Sequence, residues 1–533
     1  MRAFALAIAA VGIGAFCASP AAARKKVDIA PYIEVDQILT ADVQNGDLLT
    51  YTTVAAGIDA SVHSRRTEVQ VSYRYEHRFA EKGNLTDSDV HSGLARADFH
   101  VTKSLSLEAG ALATRARSDI RGAAPAILDG SGSNISQVYS LYAGPALATN
   151  LGVFGVSGSY RYGYTKVESS APSVLDPSQP RLDTFDSSRN QVAQASINLK
   201  SGVLLPVGVT VSGGWQRDDA GQLSQRYDGK YARGDLVLPV SRTFALTGGA
   251  GYEKIDITQR DPLFDVNGQP VVDTRGRYVP DPASPLRHAY RFDGIYYDGG
   301  IIWRPSPRTQ LEAHVGKRYG SISYTGTLTY QGAKGAAAAV NVYDGVTTFG
   351  SQLRNGVANL PTSFNSNAGA LGPDYNGCVF GANGGAGGCL NGVFQSLSSA
   401  AFRARGVDAV ASLSHGPTRF GIGAGYANRR FLAPSNGSGF SIDGVTDESY
   451  YLQLFAARSL DARTVLQGNV FANYYDSGIR ASKGVYSVGG SVALGRQFGR
   501  LSTQATIGAY SYAQDGAQAV VAIDASLGAR YQF

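Results

Sequence analysis

Most of the chain alternates apolar and polar residues with a period of two, which predicts β-strands. In residues 67–79, TEVQVSYRYEHRF, the odd positions from Val69 to Phe79 carry valine, tyrosine, histidine and phenylalanine. The even positions between them carry only glutamate, glutamine, serine and arginine. The chain ends in the same pattern, with apolar or small residues at every second position before Phe533.

About 22 segments of this kind, within a range of roughly 16–24, follow one another along the chain. Tight connections such as 63–66, 239–243 and 304–308 largely alternate with long ones, of which 256–288 and 345–401 are the longest. Outer-membrane barrels show this alternation, with tight periplasmic turns and longer extracellular loops. The sequence therefore predicts an all-β fold: a transmembrane antiparallel β-barrel.

A tandem of soluble β-sandwiches or a propeller is the alternative all-β fold. Such folds have shorter strands, a repeat period and a core rich in leucine, isoleucine and valine. The apolar faces here carry mainly alanine, glycine and valine between aromatics, and no fixed repeat is present. We expect Trp215 and Trp303 at strand ends, where aromatic girdles lie. The membrane barrel is the favoured fold.

The first residues predict export. Residues 1–23 combine Arg2, an apolar run and the small residues Pro20-Ala21-Ala22-Ala23, as a secretory signal peptide cleaved after about Ala23 does. No later stretch approaches the roughly 20 apolar residues of a membrane helix. Residues 24–533 then form the barrel in the outer membrane. Because a strand pattern begins soon after Arg24, we expect no N-terminal plug domain.

The closing residues also indicate the chain's partners. Tyr531 and Phe533 resemble the C-terminal signature by which the barrel-assembly machinery recognises its clients. The expected partners are this machinery, outer-membrane lipid and lipopolysaccharide. The net charge is +6 with no basic stripe, which argues against nucleic acid as a partner.

Two cysteines remain after Cys17 leaves with the signal peptide. Cys378 and Cys389 can close one small disulfide loop in an oxidising compartment, whereas a zinc site is disfavoured because no histidine lies nearby. Both lie in the Gly-, Asn- and Ser-rich segment 345–401. This segment either folds into the lumen or forms a surface loop with no role in the pore. We expect no metal and no cofactor.

The inward strand faces mix both charge signs with many small polar residues. A selective anion pore would instead show a ladder of one sign. A near-balanced wall suits a large neutral or weakly charged solute such as a polysaccharide, although any water-filled barrel has a polar wall. The candidate pore-lining residues are Arg74, Glu76, Arg78, Arg96, Asp98, His100, Glu312, His314, Arg318 and Arg530.

Catalytic motifs are lacking. Neither HExxH nor GxSxG occurs, so the signals for a zinc protease and for a hydrolase are absent. His91 and His288 are the candidates for an active site on the barrel rim. We expect no catalytic residues and no enzyme activity.

One stretch resembles a known family. The run WRPSPRT (303–309), followed by GKRYG (316–320), is similar to outer-membrane β-barrels associated with the PEP-CTERM protein-sorting system and exopolysaccharide loci of Gram-negative bacteria. The likeness in strands and turns covers most of residues 24–533. It implies a channel linked to exopolysaccharide export, with periplasmic export components as partners. The alternatives are a general diffusion porin for small hydrophilic solutes, and a structural or rim-enzyme barrel.

Overall fold

The computed structural model describes most of the chain after the predicted signal peptide. The described residues are 26–44, 46, 48–82, 87–119, 134–169, 183–275, 277–332, 335–365, 368–369, 372–373, 375–382, 385–395, 397–434, 441–479, 482–516 and 518–533. No helix in this part of the chain is long and apolar enough to cross a membrane. The predicted signal peptide, 1–23, lies outside the described residues, so its cleavage site stays a prediction.

The described residues form one antiparallel sheet of 22 strands that closes on itself. Its strands are β1 Lys26–Asp42, β2 Leu48–His63, β3 Thr67–Lys82, β4 Ser88–His100, β5 Leu105–Arg117, β6 Ile135–Leu151, β7 Phe154–Ser169, β8 Ser187–Leu199, β9 Gly208–Ala220, β10 Arg226–Pro239, β11 Phe244–Gln259, β12 Arg287–Ser306, β13 Thr309–Arg318, β14 Ser321–Gln331, β15 Ala337–Thr347, β16 Ala401–His415, β17 Thr418–Leu432, β18 Thr446–Ser459, β19 Thr464–Ser477, β20 Val485–Phe498, β21 Leu501–Gln514 and β22 Val520–Gln532.

The first and last strands close the ring. Along β1 and β22 the register runs from Tyr32 opposite Gln532 to Asp42 opposite Ala522, so neither strand leaves an unpaired edge there. The predicted all-β barrel of about 22 strands is confirmed. The expectation that no plug domain precedes β1 stays a prediction.

Side-chain alternation sorts each strand into a lumenal and a lipid-facing side. On β22, Asp524 is buried inside the ring, whereas Leu527 is 69% exposed and Phe533 61% exposed on the outside. The same period of two that is visible in the sequence therefore separates a polar interior from an apolar exterior, as a membrane barrel requires.

Short and long connections lie largely at opposite ends of the barrel. The first described residue, Lys26, and the last residue, Phe533, lie at the end with the short turns, which is the periplasmic end in outer-membrane barrels. The longest connections, 260–286 between β11 and β12 and 348–400 between β15 and β16, lie at the other end. The second contains helix α1, Phe349–Asn359, and two short ribbons, Ala368–Gly369 with Gly372–Pro373 and Cys378–Phe380 with Gly387–Cys389. A 3-10 turn, Gln222–Ser224, follows β9.

Candidate functional site: the lumenal plug

The described residues of the connection 348–400, which we call the plug, lie inside the barrel. Its helix α1 is amphipathic and buries Phe349, Leu353 and Val357. These side chains pack with Leu94 of β4 and Val138 of β6 in the largest apolar cluster of the described residues. The cluster replaces water between the helix and the inner wall, so burial of apolar surface holds the helix in the lumen.

The start of α1 is fixed to β9. The Thr348 hydroxyl caps the helix by accepting a hydrogen bond from the backbone amide of Ser351 (3.3 Å). The hydroxyls of Thr348 and Ser351 both donate to Asp218 Oδ2, at 2.5 and 2.8 Å. Asp218 is a fully buried lumenal residue, so the helix cap and its attachment to the wall are one hydrogen-bonded unit.

The end of α1 is fixed to β3 and β4. The Arg96 guanidinium donates to the backbone oxygens of Leu360 (3.0 Å) and Ala358 (2.9 Å), where a helix exposes unpaired carbonyls. Gln70 of β3 then pairs with the backbone of Phe364 in both directions, at 2.8 and 2.9 Å. Both wall residues therefore face the lumen.

The second half of the plug contacts a different part of the wall. A disulfide joins Cys378 and Cys389 across the ribbon, at a sequence separation of 11. The Cys378 amide donates to Gln453 Oε1 of β18 at 2.7 Å. Phe380 stacks on Phe455 of the same strand, with ring centroids 5.9 Å apart.

These two attachments lie on opposite sides of the ring. Helix α1 contacts β5 to β8, and the disulfide ribbon contacts β16 and β17. In a closed ring of 22 strands, two strands eleven positions apart face each other across the lumen, as β6 and β17 do. The plug therefore bridges the barrel, and of the two alternatives left open by the sequence, the structure has the lumenal one.

One group of the predicted pore-lining residues forms a charged cluster beside the β1–β22 seam. Arg74 lies 3.0 Å from Glu34 and 2.9 Å from Asp36, and it also pairs with Glu76. Glu76 pairs in turn with Arg78 at 2.5 Å. A cavity of about 280 Å³ opens next to this cluster. Its lining includes Arg74 and, among others, Arg530, which pairs with Asp59.

A second group forms a cluster on β10 to β13. His314 lies 3.0 Å from Asp298 and 3.0 Å from Glu312, and Arg233 binds the same Asp298 at 2.5 and 2.8 Å. Arg318 pairs with Glu253 at 2.8 Å. The sequence reasoning named three of these residues, Glu312, His314 and Arg318. It missed Arg233, Asp298 and Glu253, although they occupy the lumenal positions of the same alternating pattern.

The other candidate residues lie elsewhere. Asp98 and His100 pair with each other at 2.9 Å near the short-turn end, below the plug-binding Arg96.

Among the rim candidates, His91 lies on the outer face of β4 and is hydrogen-bonded to the Tyr73 hydroxyl at 2.7 Å. His288 pairs with Asp256 at 2.7 Å. No group of three potential metal ligands occurs in the described part of the chain.

Asp183 joins four connections at the long-loop end of the barrel. Its Oδ1 accepts hydrogen bonds from the Gln222 side chain (2.9 Å) and from the Tyr278 amide (2.8 Å), and its Oδ2 accepts one from the Ser399 hydroxyl (2.5 Å). Burial raises the pKa of Asp183 to about 7. Sequence reasoning had no signal for this residue, because its three partners lie far apart along the chain.

The two residues of the predicted assembly signal are adjacent on the outer face. The rings of Tyr531 and Phe533 meet edge to face with centroids 5.2 Å apart, and both are exposed. Their role in recognition stays a prediction.

Two comparisons with known proteins give no match: no family model matches the chain, and neither does any curated protein. The resemblance to the PEP-CTERM-associated barrels therefore stays a prediction.

The comparison with solved structures gives matches at low identity. The FrpB iron transporter from Neisseria meningitidis (F5-1 variant) is 11% identical, with a TM-score of 0.43 over 95% of this chain and 83% of that chain. The siderophore receptor PirA from Acinetobacter baumannii is 11% identical, with a TM-score of 0.41 over 96% and 81%. The ferric-catecholate import receptor Fiu from E. coli K12 is 10% identical, with a TM-score of 0.43 over 94% and 81%.

The plug corrects the predicted function: the expected exopolysaccharide conduit is wrong, as is the alternative of a general diffusion porin. The filled lumen supplies a physical reason, because neither a polymer conduit nor a general porin needs a bridge across its centre. The three structures are named as an iron transporter, a siderophore receptor and a ferric-catecholate import receptor.

Proposed function

We propose that this outer-membrane barrel transports a specific hydrophilic ligand past its lumenal plug. The observation that supports this most directly is the bridge from Arg96 on one side of the lumen to Gln453 on the other. A ring of 22 strands encloses more space than its own side chains fill. A plug anchored on both sides reduces that space and makes passage depend on contacts with the ligand.

The chemistry of the plug and of the wall supports the same proposal. In the described part of the plug the charged residue is Arg354, and most of the others are small or amide side chains. The lumenal wall carries the charged clusters at Arg74 and at His314. A ligand that passes these clusters meets paired charges of both signs. Such a wall favours a polar ligand, which can form hydrogen bonds with the ion pairs, over a simple ion.

The test is uptake by proteoliposomes that contain the refolded barrel. The solutes are neutral sugars, amino acids and ferric catecholate chelates, the last chosen because the named structures are an iron transporter and receptors for iron chelates. The proposal predicts that one ligand class enters much faster than other solutes of equal size, and that it saturates. Rates that fall smoothly with solute size, without saturation, would contradict it.

A further inference from the structure

The outer face of β8 to β12 carries a belt of charged side chains near the long-loop end. Its orientation follows from β9, where Gln216 and Asp218 bind the plug residue Ser351, so the alternating residues Arg217 and Asp219 point outward. The basic members of this belt are Arg189, Arg217, Arg226, Lys230, Lys254 and Arg291. The acidic members are Asp219, Asp228, Asp256 and Asp293.

The strand register aligns these residues in neighbouring rows. One row runs through Arg217, Asp228, Asp256 and Arg291, and the next contains Trp215, Lys230, Lys254 and Asp293. The second row borders the apolar band of the barrel.

On β12 that band begins directly below Asp293. Ile295 is 74% exposed, and the outward positions stay apolar or aromatic down to Trp303 near the short-turn end. Trp215 lies at the upper border of this band and within β9, which continues to Ala220, so it does not lie at a strand end as the sequence predicted. The belt therefore lies at the level of the outer-leaflet head groups.

Each carboxylate of the belt has a partner within the protein. Asp219 pairs with Arg217 and Arg226 at 2.7 and 2.8 Å, and Asp228 pairs with Lys230 at 3.2 Å. Asp256 and Asp293 pair with His288 and Lys254.

Two arginines of the belt remain. The exposed Arg189 and Arg291 have no ion-pair partner among the residues that the structure describes. Six basic residues against four acidic ones leave a surplus of positive charge facing outward.

The opposite part of the outer face is different. On β17 to β20, Tyr426, Tyr450, Tyr474 and Tyr486 form a row of contacting rings, with successive centroids 4.9, 6.1 and 4.6 Å apart. The next row toward the long loops carries Glu448 and Asp476. The tyrosine row and the acidic row on β17–β20 therefore carry no positive surplus.

We propose that this belt binds the phosphate groups of lipopolysaccharide in the outer leaflet. Guanidinium and ammonium groups held at head-group level can donate several charge-assisted hydrogen bonds to a phosphate, and arginine does so in a bidentate geometry. The bound lipid orders β8–β12, the strands that also hold the start of the plug helix. The proposal does not depend on which ligand the barrel transports.

The test measures lipid binding to the refolded barrel by native mass spectrometry. The lipids are bisphosphoryl and monophosphoryl lipid A, with inorganic phosphate as a competitor. The variant R189A/K254A/R291A removes charges of the belt, and Arg458→Ala, an exposed cation on β18 near the short-turn end, is the matched control. If the triple variant does not fold, the single variant Arg291→Gln is measured in its place.

The proposal predicts that the triple variant binds bisphosphoryl lipid A about tenfold more weakly or worse, while Arg458→Ala binds it normally. Arg291→Gln should show a smaller loss in the same direction. Monophosphoryl lipid A should bind more weakly than bisphosphoryl lipid A to the unaltered protein. Equal binding by the belt variants, an equal loss in Arg458→Ala, or complete displacement by inorganic phosphate at the lipid's own concentration would each overturn the proposal.

Discussion

Arg96 Nε lies 3.0 Å from the backbone oxygen of Leu360, so a side chain of the barrel wall caps the last turn of the plug helix. The same guanidinium reaches Ala358 at 2.9 Å. A positive charge at a helix C-terminus interacts favourably with the helix dipole and satisfies carbonyls that have no partner within the helix. The helix end and its attachment to β4 therefore depend on one residue.

Replacing Arg96 with alanine should loosen the plug. The loss of two charge-assisted hydrogen bonds should cost the docked state about 1–3 kcal/mol. We expect frequent transient openings in single-channel recordings. His100→Ala is the matched control, because His100 lies on the same face of β4 but is largely exposed and does not bind the plug. Recordings of Arg96→Ala that cannot be told from those of His100→Ala would refute the capping role.

Gly423 of β17 should tolerate no side chain. A Cβ atom there would lie 2.3 Å from Cys378 Sγ and 2.8 Å from Cys389 Sγ, so Gly423→Ala should push the disulfide ribbon off the wall. The expected result is faster proteolysis within the plug, at a cost of about 1–3 kcal/mol. Gly234→Ala is the control, since a Cβ at Gly234 has no neighbour within 4 Å. Equal cleavage of both variants would show that the ribbon does not pack closely on β17.

Removing the disulfide should destabilise the plug locally. In the chain-entropy model, a loop of this length is worth about 3 kcal/mol. In the double variant Cys378→Ser/Cys389→Ser, the amides of the Gly387–Cys389 ribbon should exchange with deuterium much faster, while the barrel strands keep their protection. Unchanged exchange in the ribbon would mean that wall contacts alone hold it.

The loop junction at Asp183 should weaken as the pH rises. Burial raises the pKa of this carboxyl from 3.8 to about 7. A raised pKa in the folded state contributes stability that is complete below about pH 4 and is lost as the pH passes through 7. Deuterium exchange around Tyr278, corrected for the intrinsic pH effect, should therefore speed up between pH 5.5 and 8.5. Asp183→Asn should remove this pH dependence, and a variant that retains it would place the titrating group elsewhere.

The barrel could be predicted from the sequence because the alternation of polar and apolar residues identifies the two faces of each strand locally. The alternation from Val69 to Phe79 is enough to place Arg74 inside the ring and Tyr75 outside it. The order of short and long connections then separates the two ends.

The plug could not be predicted in this way. Its helix sequence, FGSQLRNGVAN, is short and contains two glycines and two asparagines, so it is weakly helical on its own. Its partners, such as Arg96 and Gln453, lie more than 70 residues away in sequence and are brought close only by ring closure. The loop's position is therefore a property of the closed barrel.

The most direct test of the central claim is the single-channel conductance of the refolded barrel in a planar bilayer. The intact chain is compared with a variant in which residues 362–397 are replaced by a short Gly-Ser linker. If the plug bridges the lumen, the intact barrel shows a small, fluctuating conductance and the shortened one shows a large and steady conductance. A large, steady conductance already present in the intact barrel would contradict the bridged lumen and the ligand-specific transport inferred from it.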